Sequence, residues 1–393
     1  MKTATAERLH IGIFGPTNAG KSSLINALTL QDVALVSQTP GTTTDPVFKA
    51  MELQGVGPVV FIDTAGFNDE GELGEKRLER TRRILDRVDL AVLVMTDSVD
   101  EITPWRDELA GRDIPTIIVL NKVDLKDRSL LLKAIKHQLG EDVLAISTRS
   151  GQGIDTLRQR ISALGVRADR FITEGLVEAG DVVVLVTPQD PAAPKGRLIL
   201  PQVQVIRELL DRHCLTLVTN PEELAQALAG LTRPPSVIIT DSQVFDRVYP
   251  LVPKETMLTS FSILFAGYKG DLDYFIDSAG AIDQLTPNSR VLIAEACTHA
   301  PIEEDIGTVK IPAMLRRRIG PELRIDFVRG SDFPQDVSSY DLIIQCGSCM
   351  VNRRQVLSRV AQAKAQGTPM TNYGVTLAKL QNILDRISRK RSS

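Results

Sequence analysis

Residues 15 to 22 read GPTNAGKS, and this octet constrains the fold more than any other stretch of the chain. It matches G-x-x-x-x-G-K-S/T, a pattern whose chemistry works only where a strand runs in and a helix runs out. The apolar IGIFG before it supplies the strand, and SSLINAL after it supplies the helix. In that setting Gly15 and Gly20 let backbone amides close around phosphate oxygens, with Asn18, Ala19 and Ser23 in the same cradle. Lys21 reaches the β and γ phosphates and Ser22 ligates Mg²⁺.

Three later stretches complete the set. DTAG, residues 63–66, follows the strand-like VVFI; Asp63 is placed to hold the Mg²⁺ shell and the Gly66 amide to meet the γ phosphate. NKVD, residues 121–124, ends another strand and supplies Asn121, Lys122 and Asp124. The Asp124 carboxylate accepts from N1 and the exocyclic amine of guanine; adenine offers neither donor and would leave it unpaired. Ser147 and Thr148, in IST, present a small loop to the base, and Thr43 in PGTTTDP completes Mg²⁺ coordination when GTP is bound. Together the motifs, in this order and spacing, specify GTP or GDP.

Short apolar strands alternate with helical stretches from Ile11 to about Val166, which implies a mostly parallel sheet wrapped by helices. Two further alternations follow, one from DVVVLVTP through MLTSFSILFAG, read as its last strand, and one from RVLIAEAC to VTLAKLQNILDRI. The expected fold is therefore α/β: a P-loop GTPase domain (1–166) and two further α/β domains with mostly parallel sheets (167–265 and 266–393). The middle one shows no catalytic constellation. At 393 residues and 43% hydrophobic, the chain can bury more than one core.

A net charge of −3 argues against a broad nucleic-acid surface, and the dense basic run RKRSS reads as a solvated terminus. No apolar run approaches a membrane span, and no apolar h-region follows the Met-Lys-Thr start, so a cytoplasmic chain is expected. Four cysteines are too few for a disulfide scaffold. Cys214 opens an apolar strand and reads as a small core residue. Cys297 ends one strand, Cys346 follows another, and Cys349 lies one turn later. Strand carboxyl ends are where ligand crevices form, so these three sulfurs can share a rim. Such a set suits an iron–sulfur cluster or zinc, while a bare Cys-x-x-Cys also suits a redox pair.

The first 166 residues resemble the TrmE-Era type of GTPase. Asn18 matches the asparagine with which potassium-activated relatives hold K⁺ near the phosphates, whereas Phe67 stands where many small GTPases carry a water-orienting Gln. Those motifs, with EACTHAP (295–301) and CGSCM (346–350), make the whole chain resemble HydF, the GTPase and scaffold family of [FeFe]-hydrogenase maturation. The resemblance implies a [4Fe-4S] cluster on Cys297, Cys346 and Cys349, and delivery of a di-iron subcluster precursor to apo-[FeFe]-hydrogenase. It also implies radical-SAM maturases as partners and a homodimer. Many relatives carry His directly before the Cys-x-x-Cys; here it is Gln345, a poor iron ligand. The fourth iron site then falls to His299, to an acidic residue such as Glu303 or Glu304, or to solvent. Two alternatives are a TrmE/Era-like GTPase of tRNA modification or ribosome assembly and a zinc-stabilised regulatory GTPase.

Overall fold

A computed structural model of the chain describes residues 5–29, 47–53, 55–64, 81–125, 128–140, 142–165, 170–189, 198–296, 305–330 and 332–387. Thr43, Gly66, Phe67, Cys297, His299, Glu303, Glu304 and the basic tail lie outside them. The chain divides into two compact units, Met1–Ala168 and Asp169–Ser393.

The first unit holds a six-stranded sheet in the order β2-β3-β1-β4-β5-β6. Its strands are β1 (Leu9–Phe14), β2 (Val47–Leu53), β3 (Gly57–Asp63), β4 (Leu90–Met95), β5 (Thr116–Leu120) and β6 (Leu144–Ala145). β1 and β4 are buried along their whole length, which is why they read as unbroken apolar runs. Leu24, Ile25, Leu157 and Ile161 cover one face of the sheet, and Trp105, Leu109 and Ile135 cover the other. β2 was not anticipated from the sequence. It pairs antiparallel to β3 at the sheet edge and is mostly exposed, so its Lys and Glu break the apolar pattern of the inner strands. β1 sits between β3 and β4, so the loop leaving its carboxyl end opens at the point where the strand order reverses.

The second unit contains two four-stranded sheets, ordered β10-β9-β7-β8 and β12-β11-β13-β14. The first is built from β7 (Val182–Val186), β8 (Leu215–Thr219), β9 (Val237–Thr240) and β10 (Met257–Ser260). The second is built from β11 (Arg290–Glu295), β12 (Arg324–Arg329), β13 (Leu342–Gln345) and β14 (Met370–Asn372). All their pairings are parallel. Val184 and Ile238 of one sheet share a continuous core with Ile293 and Ile344 of the other. Each such side chain, fully buried, contributes about 1.5–3 kcal/mol.

One expected strand is mostly helix. In MLTSFSILFAG only Met257–Ser260 is extended, and Phe261–Lys269 is helical, with the Ser260 side chain accepting from the Ile263 amide. That helix buries Phe261, Ile263, Leu264, Phe265 and Ala266, so no polar face marks its period; the capping serine was the overlooked signal. Among the described residues no helix is long and apolar enough to cross a membrane.

Candidate functional site

The phosphate loop has the backbone its sequence requires. Gly15 and Gly20 have φ of 154° and 93°, and a Cβ on Gly20 would lie 2.5 Å from Asn121 Nδ2. Asn18, exposed at the loop apex, is left-handed at φ 63°. Lys21 is buried at the start of the helix Lys21–Thr29, and its Nζ donates to the carbonyls of Gly15 (2.9 Å) and Pro16 (2.8 Å). The ammonium is thereby fixed over the loop. Ser22 Oγ donates to Asp63 Oδ2 at 2.7 Å, which brings together two of the oxygens assigned to Mg²⁺. Ser23 follows on the same helix. Two oxygen donors beside a glycine-rich amide cradle fit a hard cation bound with phosphates.

Across the sheet, Asn121 is fully buried and joins two loops: its Nδ2 donates to Ala19 O at 2.8 Å, and its Oδ1 accepts from the Thr148 amide at 3.3 Å. Lys122 follows in a left-handed conformation, φ 61°. Asp124 is exposed and accepts from Ser147 Oγ at 2.6 Å. That hydroxyl holds the carboxyl below its ordinary pKa against a smaller opposing desolvation. The structure thus gathers Ala19, Gly20, Asn121, Asp124, Ser147 and Thr148 from three separate segments.

In the second unit, the carboxyl ends of two sheets border one cavity of about 540 Å³. Asp241 and Ser262 come from beyond β9 and β10, while Glu295, Cys346 and Tyr373 come from the ends of β11, β13 and β14. Cys349 lines the same cavity. The Cys346 amide donates to Ala294 O at 3.0 Å, and Cys346 Sγ accepts from the amides of Ala296 (3.0 Å) and Ser348 (3.4 Å). Burial pushes this thiol up, and the two amides oppose it by favouring the thiolate that metals bind.

Among the described residues no group of three or more His, Cys, Asp or Glu is arranged to hold a metal ion. The donor chemistry nevertheless fits a thiolate-bound group: two sulfurs share one cavity wall, and one carries two amide donors. Gln345 does not face that role. Its Oε1 accepts from Arg359 Nη1 at 3.0 Å and its Nε2 donates to Ser348 Oγ at 2.8 Å, so both ends of the amide are committed. Cys214 lies in the core beside β7, its thiol pushed up by burial and donating to Glu178 O at 3.4 Å.

The family model described as the hydrogen maturase F dimerization domain matches residues 172–270, and that of its tetramerization domain matches residues 273–389. The chain belongs to the hydrogen maturase F family. Ahead of those domains, residues 10–122 match a model described as a 50S ribosome-binding GTPase, in keeping with the P-loop GTPase fold of the first unit. The tRNA modification GTPase MnmE of Bordetella parapertussis is 37% identical over 166 residues, 40% of this chain and 34% of its own length. GTPase Der of Wolinella succinogenes is 35% identical over 169 residues, 39% of this chain and 35% of its own. The chain therefore spans about a third of the length of the curated relatives it matches. Among solved structures, Era in complex with MgGDPNP and a 16S ribosomal RNA fragment aligns at TM-score 0.37 and 17% identity, over 54% of this chain and 92% of that one. NFeoB from S. thermophilus bound to GDP.AlF4⁻ and K⁺ aligns at TM-score 0.33 and 22% identity, over 41% of this chain and 64% of that one.

In this hydrogen maturase F family member, sequence reasoning missed the wall facing the cysteines. Glu295 is buried between Arg329 Nε (2.9 Å) and Tyr373 Oη (3.3 Å), and Lys310 Nζ donates to Gln243 Oε1 at 3.2 Å on the same cavity. The usable signal was position, since Glu295 ends an apolar strand of a parallel sheet.

Proposed function

We propose that the chain is a hydrogenase-maturation GTPase that scaffolds a [4Fe-4S] cluster on Cys297, Cys346 and Cys349 and passes a di-iron precursor to apo-[FeFe]-hydrogenase. The observation that carries the reading is the pairing of a guanine-type nucleotide site with a Cys-x-x-Cys turn opening into a cavity, in a chain with both family domains. His299, Glu303, Glu304 and solvent remain the alternatives for the fourth iron position, since Gln345 is committed elsewhere.

In this reading Lys21 binds the phosphates, while Ser22, Asp63 and Thr43 hold Mg²⁺, which supplies charge neutralisation when bound. The Gly66 amide meets the γ phosphate. Phe67 cannot orient water, so intrinsic hydrolysis is slow, and K⁺ held through Asn18 accelerates it by placing positive charge at the transferring phosphate. GTP biases a two-state arrangement of domains or partners through switch segments around Thr43 and Gly66 that differ between GTP and GDP states, and that arrangement regulates handover. The domain division 1–166, 167–265 and 266–393 belongs to the same proposal, with radical-SAM maturases supplying the cargo. A homodimer is supported by the edge strand β8, whose Leu215 is 61% exposed; sedimentation tests it.

Anaerobic reconstitution followed by iron and sulfide assay and EPR tests the core of the proposal. Iron and sulfide in cluster proportion, lost in Cys297→Ser and Cys346→Ser, is the expected result. Bound zinc with no EPR-active reduced cluster sinks it. Activation of apo-hydrogenase by protein loaded by the maturases, abolished in Cys297→Ser, tests delivery.

A further inference from the structure

Lys269 closes the helix Phe261–Lys269, which follows β10, yet its charge is spent on the other sheet. It is 2% exposed, and its Nζ donates to the carbonyls of Ser348 (3.2 Å), Cys349 (3.2 Å) and Val351 (2.9 Å). The Phe265 ring lies 5.5 Å from the same nitrogen. An ammonium has three donors, and burying one is costly unless hydrogen bonds compensate it. Here the acceptors are three carbonyls, of Ser348, Cys349 and Val351, in and just after the turn that carries both cysteines.

That turn needs holding. Ser348 is left-handed at φ 53°, a conformation that costs a non-glycine residue about 1–2 kcal/mol. In it, the Ser348 amide points to Cys346 Sγ while the Ser348 carbonyl points to Lys269. The amide on one side of the Ser348 Cα meets the sulfur and the carbonyl on the other side meets the lysine, so the lysine restrains the left-handed residue between the two peptides. Its position also ties the helix of the β7–β10 sheet to the cysteine turn, so movement of one is felt by the other.

We propose that Lys269 is a positioning residue for the cysteine-held group: its buried ammonium clamps the Cys346–Cys349 turn in its ligand-presenting form and sets a fixed positive charge against the backbone of that turn. This rests on the cluster reading above. A positive charge near a cluster favours its reduced, more negative state, so removing it lowers the reduction potential.

The test compares the full chain with Lys269→Met, which keeps the stem without charge, and Lys269→Arg, which keeps the charge. After anaerobic reconstitution, Lys269→Met is expected to shift the reduction equilibrium about tenfold towards the oxidised cluster, ~59 mV for one electron. Lys269→Arg restores most of that shift. Equal potentials in all three proteins overturn the proposal. Before reconstitution, Cys346 and Cys349 should alkylate several-fold faster in Lys269→Met than in the unmutated chain; equal rates overturn the clamp. In the unmutated protein Lys269 should resist reductive methylation, and ready labelling of the folded chain overturns the clamp even if neither variant folds. Failure of the cluster reading shows differently, as no cluster in the unmutated protein, and leaves the alkylation and methylation results to decide the clamp.

Discussion

Asn121 and Ala19 are 102 residues apart in the chain and are joined by a 2.8 Å bond from the Asn121 side chain to the Ala19 carbonyl. The other end of the same amide accepts from Thr148, so one buried side chain sets the spacing between phosphate loop and base loop. Asn121→Ala leaves a buried carbonyl without this donor and an amide without this acceptor. The expected cost is about 1–3 kcal/mol in denaturant unfolding of the first unit. GDP affinity should fall roughly tenfold or more by calorimetry, ~1.4 kcal/mol, because the loops lose their common strut. Unchanged stability and affinity would show that the loops hold each other without it.

Asp124 and Ser147 give a pH prediction. The Ser147 hydroxyl lowers the Asp124 pKa in the folded chain. A lowered carboxyl contributes fully above its ordinary value, about 3.9, and loses its contribution only as pH falls through the lower folded value. Guanine nucleotide binding should therefore persist to below that ordinary value in the unmutated protein. In Ser147→Ala the acid fall-off should begin at higher pH. Fluorescent GDP titrations between neutrality and acid pH read this directly, and superimposable profiles would remove Ser147 from the role. Asp124→Asn should weaken GDP by on the order of 10²-fold, about 2.7 kcal/mol, and improve binding of xanthine nucleotides, whose C2 oxygen accepts from the new amide.

The described part of the nucleotide site was legible because its chemistry demands particular residue types at particular spacings, and Gly15, Asp63 and Asn121 each stand at a strand end. The strut formed by Asn121 was not, since nothing in NKVD says that its first residue reaches Ala19. The helix Phe261–Lys269 was misread because burial on most sides erased its period. Gln345 could be recognised as a departure, but not as a partner of Arg359, which lies on the helix Arg353–Ala365. The shared cavity was invisible for a related reason: alternating strands and helices predict parallel sheets but not which two sets of strand ends face each other.

Asn18 supports a cation test. It holds a left-handed apex, so Asn18→Gly removes the side-chain carbonyl without adding backbone strain. GTP turnover in the unmutated chain should be faster in KCl than in NaCl at equal ionic strength. In Asn18→Gly the two salts should give the same slow rate. A K⁺ advantage that survives the substitution would place the ion elsewhere, and no advantage in either protein would remove potassium from the reading.

Gln345 gives the sharpest separation of scaffold from ligand. Its amide bridges Arg359 and Ser348, and the bridged Ser348 is the left-handed residue of the cysteine turn. Gln345→Ala removes an acceptor from a buried guanidinium and a donor from a buried hydroxyl. The second unit should lose about 1–3 kcal/mol of stability. Iron and sulfide content after reconstitution should nevertheless match the unmutated protein, because no iron ligand has been taken away. Loss of iron at preserved stability would instead make Gln345 a ligand, and would mean that the amide turns from Arg359 when the cluster enters.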